Sequence, residues 1–235
     1  MIDWLVSIQA LLREPETRFS LSLTGQVVLI TVLLHLFAGL LLGYCLSKKS
    51  FPGRVIIDLL VTLPLVFPPV ATGYALLMIL GKNGPFGEWS HSSGINFIFS
   101  GQGVVLAAFL SGLPLVVKPI QSAMNMVSTR WGEVARTLGK NELQIFLFVL
   151  IPNIQRALAT GLILGLGRSL GEVGITLMLG GNIAGKTNTL SLEIYNAVFS
   201  GDYQRASGLS VILGGISLVI FFLLQRCSSQ RNASA

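Results

Sequence analysis

Five apolar runs separated by polar, glycine-rich connectors organise this chain, at residues 22–46, 55–80, 102–126, 154–179 and 209–224. Each is long enough to span a hydrocarbon core of about 30 Å, which takes about 20 residues of helix. The pattern predicts an all-α fold, a polytopic membrane helix bundle of about five transmembrane helices. Residues 1–21 are expected to form an N-terminal interfacial segment, 22–225 the transmembrane body with a polar loop over 128–151, and 226–235 a polar tail. The first residues carry Asp3 and a short apolar pattern, with neither a basic start nor a small-residue cleavage site, so they read as a retained amphipathic helix and not a signal peptide. A sixth crossing within residues 1–20 is disfavoured by Arg13, Glu14, Pro15, Glu16 and Arg18 in close succession.

Composition strengthens the membrane reading. Hydrophobic residues make up 52% of the chain and charged residues 11%, against about 25% charged in soluble domains. The net charge of +6 could suggest nucleic acid, but the basic residues are scattered between the apolar runs and line no single face. No nucleic-acid partner is therefore expected, and the lipid bilayer is. Cys45 and Cys227 sit near run ends without metal-ligand or disulfide spacing, as inert thiols do.

Basic residues set the orientation. Lys48, Lys49, Arg54, Arg130, Arg136, Lys140, Arg226 and Arg231 fall on one side. Arg13, Arg18, Lys82, Lys186 and Arg205 fall on the other, interspersed with Asp3, Glu14, Glu16, Glu88, Glu193 and Asp202. The first side is expected to be cytoplasmic, with the C-terminus there and the N-terminus outside.

The runs are not plain anchors. Pro64, Pro68 and Pro69 interrupt the second, and prolines are tolerated in a membrane where neighbouring helices or water satisfy the freed backbone groups. Gly161, Gly165, Gly167 and Gly171 repeat the GxxxG spacing in the fourth, which predicts close helix packing, with a gating motion as the alternative. Arg168 and Glu172 lie four apart on one helical face of the same run. Charges at that depth face a bundle interior and pair. Asp58 and Lys118 are expected to snorkel or pair near the cytoplasmic ends of their runs, and His35, alone in mid-run, to be a buried hydrogen-bonded histidine.

The loop over 128–151 holds the sharpest signal. Within Trp131–Gly139, the apolar Val134, Ala135 and Leu138 recur at helical spacing beside Glu133, Arg136 and Lys140, predicting a short amphipathic helix. Glu133, Ala135, Gly139 and Pro152, with the run Val149–Leu150–Ile151–Pro152, resemble the EAA signature of importer-type ABC permeases. Val134, Val149 and Ile151 depart from that signature, each apolar for apolar. A finer resemblance, carried by Leu63–Tyr74, Gly167–Glu172 and Gly181–Gly185, is to the molybdate branch of the family, with sulfate permeases close behind.

The resemblance implies a type I ABC importer permease-like bundle in a bacterial-type inner membrane, a transport subunit and not an enzyme. It further implies a coupling helix, with Glu133, Ala135, Arg136, Gly139 and Pro152 as its markers, docked on a separate ATP-binding subunit. Two copies of that subunit would bind the ATP and Mg, so no cofactor is expected in this chain. A second copy of the chain and a periplasmic or extracellular oxyanion-binding protein complete the implied assembly. Pro64, Pro68, Pro69, Arg168, Ser169, Glu172 and Asn182 are the candidates for the translocation pathway or its gate. Arg168 has two readings, a packing salt bridge with Glu172 or a source of positive potential for an oxyanion. Sulfate, thiosulfate or tungstate are alternative cargoes, and an ATPase-independent transporter or channel is a remoter class.

One motif points the wrong way. Gly180–Thr187 satisfies GxxxxGK[ST], but a phosphate-binding P-loop needs a preceding buried strand and an α/β domain. An apolar run precedes it here and only 48 residues follow it, so the segment reads as an external loop to which Asn182 and the glycines give shape.

Overall fold

The structure, a computed structural model, describes residues 8–48, 51–87, 92–94 and 96–230. Residues 1–7 of the expected interfacial segment, Lys49, Glu88, and the end of the tail with Arg231 lie outside them, as do the side chains of Arg130 and Cys227. The described elements are all helical. In chain order they are α1 (Pro15–Ser47), α2 (Arg54–Val66), α3 (Pro69–Leu80), α4 (Gly101–Val127), α5 (Glu133–Thr137), α6 (Glu142–Ile145), α7 (Gln155–Leu170), α8 (Gly174–Gly180), α9 (Leu190–Phe199) and α10 (Tyr203–Gln230). π-helical turns at Ser128–Gly132 and Phe146–Leu150 flank α5 and α6, and a short turn covers Ile151–Asn153.

Among the described residues, three helices are long and apolar enough to cross a membrane, Pro15–Ser47, Gly101–Val127 and Tyr203–Arg226. A fourth is counted if Glu142–Asn153 and Gln155–Leu170, bent by 70°, form one span. The second and fourth apolar runs are each interrupted. The second breaks at Phe67–Pro68, where the tandem prolines remove two backbone donors and Pro69 opens α3. Pro64 does not share in that break: it is buried inside α2, near that helix's end. The fourth breaks over Gly171–Val173, so Arg168 and Glu172 straddle a helix end and do not share one continuous helical face.

α1 begins seven residues ahead of its apolar run, because Pro15 supplies a preset helical φ at the first turn and Glu16 complements the helix dipole. Its buried face is mostly small or polar (Thr17, Ser20, Thr24, Thr31, His35, Gly39, Gly43), with Val27 and Leu46 as the large apolar exceptions, whereas Leu29, Leu33 and Phe37 point outward. This inversion of the soluble pattern is what lipid favours: large apolar groups meet the acyl chains, and small residues let helix backbones approach.

α4 forms the centre, gripped by α1 and α7. Val116 and Ile120 of α4 lie over Gly39 and Gly43, where an added Cβ would stand 2.7 Å from Val116 Cγ1 and 2.5 Å from Ile120 Cγ2. On the other flank Gly161 and Gly165 of α7 lie against Val116, which is thus wedged between Gly39 and that glycine pair. The packing reading of the GxxxG spacing therefore holds for Gly161 and Gly165. It does not hold for Gly167 and Gly171, which face outward and meet no packing side chain.

His35 is fully buried here, and its Nε2 lies 2.9 Å from the Phe109 carbonyl, to which it donates. Lys118 of α4 pairs with Asp58 of α2 at 2.6 Å. The exposed apolar residues of α2 (Val55, Ile56, Leu59) and α10 (Leu218, Val219, Phe222) complete an apolar exterior.

Candidate functional site

The polar loop folds into a small helical platform. α4 runs without interruption through the π-turn into α5, so the predicted amphipathic helix is an extension of the central helix and not a separate element. Its apolar residues divide between two faces. Ala135 is buried with Ile145 and Leu150 in a cluster that also takes in Tyr44, Val127 and Phe146. Trp131, Val134 and Leu138 are 59%, 50% and 74% exposed, and as i, i+3, i+7 they form an outward stripe.

Gly139 ends α5 with φ +76°, a left-handed conformation natural to glycine. Its N–H donates to Arg136 O at 2.9 Å and the Lys140 N–H to Ala135 O at 3.1 Å, the two bonds of a Schellman cap. Asn141 then starts α6 with a capping box, its side chain accepting from the Gln144 N–H and the Gln144 side chain accepting from its own. Pro152 is exposed in the turn after the second π-turn, two residues before the 70° bend into α7. It offers no N–H, and prolines and π-turns are common causes of such kinks.

Glu142 ties the platform together. Its Oε1 accepts from Arg136 Nε at 2.8 Å and its Oε2 from the Tyr44 hydroxyl at 2.9 Å. The Arg136 hydrogen bond, then that of Tyr44, holds the Glu142 carboxyl below its usual range. Glu133 is exposed and lines, with Arg136, Glu142, Tyr44 and Lys48, a polar cavity of about 440 Å³.

The second group of candidates gathers where the two interrupted runs meet. α3 packs on α8, each through a glycine: a Cβ on Gly73 would lie 2.8 Å from Met178 Cβ, and one on Gly174 2.8 Å from Pro69 Cβ. Pro68 is exposed beside this junction. Glu172 spans the break in the fourth run. Its Oε1 accepts from the Ile175 N–H at 2.7 Å, capping α8, and its Oε2 lies 2.8 Å from Arg168 Nη1 of α7. That second contact is an ion pair not aligned as a hydrogen bond. The Glu172 side chain is 1% exposed and that of Arg168 33%, so the guanidinium presents the charge of the pair outward. Ser169 faces the other way, buried, with its Oγ donating to Ala108 O at 2.6 Å and Gly165 O 2.9 Å away. It pins α7 to α4.

Asn182 stands apart from both groups. With φ +51°, it exchanges side-chain hydrogen bonds with Asn196 of α9 at 2.6 and 3.2 Å. The P-loop-like segment is closed on itself: Thr187 Oγ1 accepts from the Ile183 N–H at 2.9 Å and donates to Gly180 O at 2.7 Å, while the Lys186 and Thr187 amides donate to Ile183 O. A helix and not a strand precedes it, and amides that would cradle a phosphate are engaged.

Near that loop, Arg205 Nη2 lies 3.2 Å from both Glu14 and Glu16 and 3.6 Å from Glu193. Burial pushes the Glu193 carboxyl up, and Arg205 opposes the shift.

Sequence reasoning missed several residues that organise these sites. Gly39 and Gly43 carry the same GxxxG spacing as Gly161 and Gly165, a readable signal. Arg156 is exposed at the start of α7, and it adds to the basic side that holds Arg136 and Lys140. Tyr44 and Glu142 lie 98 positions apart, and nothing in the pattern links them.

The sequence model of the family described as "Binding-protein-dependent transport system inner membrane component" matches residues 35–228. The molybdenum transport system permease protein ModB of Escherichia coli is 34% identical over 226 residues, covering 94% of this chain and 98% of that protein. The sulfate transport system permease protein CysT of the same organism is 33% identical over 192 residues, 82% of this chain and 69% of that one. Among solved structures, a bacterial alginate ABC transporter in complex with an alginate pentasaccharide-bound periplasmic protein contains a chain with a TM-score of 0.76 at 18% identity, covering 94% of this chain and 81% of its own. That likeness shows the fold, the type I importer permease bundle.

Proposed function

Because this chain belongs to the family of binding-protein-dependent inner-membrane transport components, we propose that it is the subunit through which an ABC importer moves molybdate. Two copies would form one pathway, with two ATP-binding subunits on the cytoplasmic side and an oxyanion-binding protein outside. The observation that carries the choice of cargo is length: alignment covers 98% of the molybdenum permease but 69% of the sulfate permease, at nearly equal identity.

The geometry supports a role for each group of residues. The outward stripe of Trp131, Val134 and Leu138, on a helix stopped by Gly139, suits a groove on the ATP-binding subunit, where ATP and Mg would be held. Since α5 continues α4 and the platform bends directly into α7, movement of the docked stripe enters both central helices. Arg168, the partly exposed charge at the paired breaks, suits an anion's path. Broken helices line such paths in transporters because unwound backbone is tolerated only at a cavity or inside protein. Its partner Glu172 keeps the site from binding the anion too tightly to release it. The basic residues of the platform side, Lys48, Arg136, Lys140 and Arg156, favour a cytoplasmic C-terminus and an external N-terminus.

The test is accumulation of labelled molybdate, tungstate or sulfate in cells with and without the chain. Molybdate uptake that depends on it, and is not outcompeted by equimolar sulfate, is the expected result. Sulfate uptake together with co-purification of a second, different permease chain would favour the sulfate reading, which 33% identity to CysT makes the leading alternative.

A further inference from the structure

α1 is 33 residues long, about 50 Å at the helical rise, and so longer than the roughly 30 Å hydrocarbon core. Both of its ends are tied by polar contacts to other parts of the chain. At the inner end the Tyr44 hydroxyl donates to Glu142 Oε2 at 2.9 Å, while the other oxygen of that carboxylate accepts from Arg136 of α5 at 2.8 Å. The Tyr44 ring meets Phe146 edge-on at 4.9 Å, and the Lys48 ammonium stands 4.7 Å from its centroid. In the apolar cluster around Ala135, Ile145 and Leu150, Tyr44 is the member contributed by α1. At the outer end Glu14 and Glu16 meet Arg205, which also faces Glu193 of α9.

We propose that Tyr44 and Glu142 are positioning residues that hand movement of the docking platform to α1, making this helix a lever between the two faces of the membrane. The proposal rests on the importer reading above. The platform is continuous with α4 and α7 but not with α1, which α4 carries along by packing at Gly39 and Gly43; a direct hold at the inner end of α1, beside the docking helix, ties it to the platform itself. One carboxylate shared between Arg136 of the docking helix and Tyr44 of α1 is such a hold. The helix can carry the displacement because its glycine face is seated along α4 at Gly39 and Gly43. The outer end delivers it to the acidic residues around Arg205, beside the external loop.

The Tyr44–Glu142 hydrogen bond is exposed, as are the Arg136 and Glu142 side chains at 46% and 51%, and polar contacts with that much solvent add little stability. A purely structural contact therefore predicts almost no effect when the hydroxyl is removed, whereas a transmitting one predicts a loss of coupling at unchanged stability.

The experiment uses the transporter assembled with its own ATP-binding subunit in vesicles, with molybdate-loaded binding protein as the probe. Tyr44→Phe keeps the ring on Phe146 and removes the hydrogen bond. Its expected signature is a melting temperature and basal ATP hydrolysis like wild type, with stimulation by the loaded binding protein reduced about five- to tenfold, the scale of a typical coupling energy. Adding Glu142→Gln to Tyr44→Phe should lower stimulation less than the two single effects combined, as expected for partners in one contact. Arg205→Gln, at the far end of the lever, should reduce stimulation in the same way. Tyr44→Phe with full stimulation would overturn the lever while leaving the importer reading intact. A wild-type assembly that loaded binding protein does not stimulate would overturn the importer reading itself.

Discussion

The two glycine pairs of the fourth apolar run share one spacing and have opposite fates. Gly161 and Gly165 are buried against Val116, and a Cβ on Gly161 would stand 3.0 Å from the Val116 carbonyl oxygen. Gly167 and Gly171, six residues further along the same run, face outward with no side chain against them. The first pair lets two helices close on the centre. The second lies beside the exposed Arg168 and the break that Glu172 bridges. GxxxG spacing reports that a backbone could be approached; whether anything approaches depends on which face the neighbouring helix occupies. One face of α7, with Gly161, Gly165 and Ser169, thus belongs to a packed three-helix core, and the face that carries Gly167 and Arg168 to the region proposed to line the path.

The comparison is broken most directly at its packed side. Gly165→Leu would drive a branched side chain into Val116, and overpacking of this kind costs about 3 kcal/mol at the upper end of its usual range. Loss of folded protein in detergent, read by size-exclusion and thermal melting, is the expected result. Gly165→Ala is the milder probe, and Val116→Ala should restore part of what it loses. Simple additivity of those two substitutions would mean that Val116 is not what fills the space above Gly165.

A second, smaller effect is expected at the break. Glu172→Ala removes the cap from the Ile175 N–H and the counter-charge from Arg168 together. Leaving one buried donor without a partner costs about 1–3 kcal/mol, and Glu172→Gln, which can still accept from Ile175, should recover most of the stability. If transport by Glu172→Gln is lost while its melting temperature is kept, the charge balance beside Arg168 matters to the anion and not only to the fold.

These distinctions mark how far the sequence could be read. The apolar runs, the amphipathic helix around Val134 and Leu138 and the pairing of Arg168 with Glu172 were legible, because each follows from local periodicity or from the cost of a charge in lipid; that Ala135 turns inward while Trp131 joins the exposed stripe was not. The interruption of the second run was legible too, though Pro64 was wrongly included in it. A proline can sit within a helix where its neighbours absorb the missing bond, and only the tandem Pro68–Pro69 also fixes the preceding residue in an extended conformation. What could not be read were the long-range partners. The hydroxyl of Tyr44 and the carboxylate of Glu142 meet across 98 positions, and the pairing of Gly73 with Gly174 depends on how two broken runs dock. Ser169 was grouped with the pathway because of its neighbours in sequence, yet helical geometry turns it 100° from Arg168 and into α4.

A third substitution tests the platform against the core. Gly139 has φ +76° and open space around its Cβ position, so Gly139→Ala creates strain without a clash, about 1–2 kcal/mol for a non-glycine residue in this conformation. The bundle should fold and melt nearly as wild type, because the cap lies outside the core, while association with the ATP-binding subunit weakens as Leu138 and Val134 lose their fixed direction. A pull-down of the two subunits at graded salt and detergent separates the outcomes: unchanged association would detach the Schellman cap from docking.

The smallest expected effect sharpens the comparison best. Gly167→Ala adds a methyl group where nothing lies within 4 Å, and in a helix interior that exchange is favourable by about 0.5–1 kcal/mol. Gly167→Ala should therefore melt slightly higher than wild type, the reverse of Gly165→Ala about 3 Å of helix rise away. Gly167→Leu then separates stability from transport. On an outward, unpacked face its stability should stay close to wild type, but if this face borders the anion's path beside Arg168, labelled molybdate uptake should fall several-fold. A fall in both together would place a second protein surface, and not an open path, over Gly167.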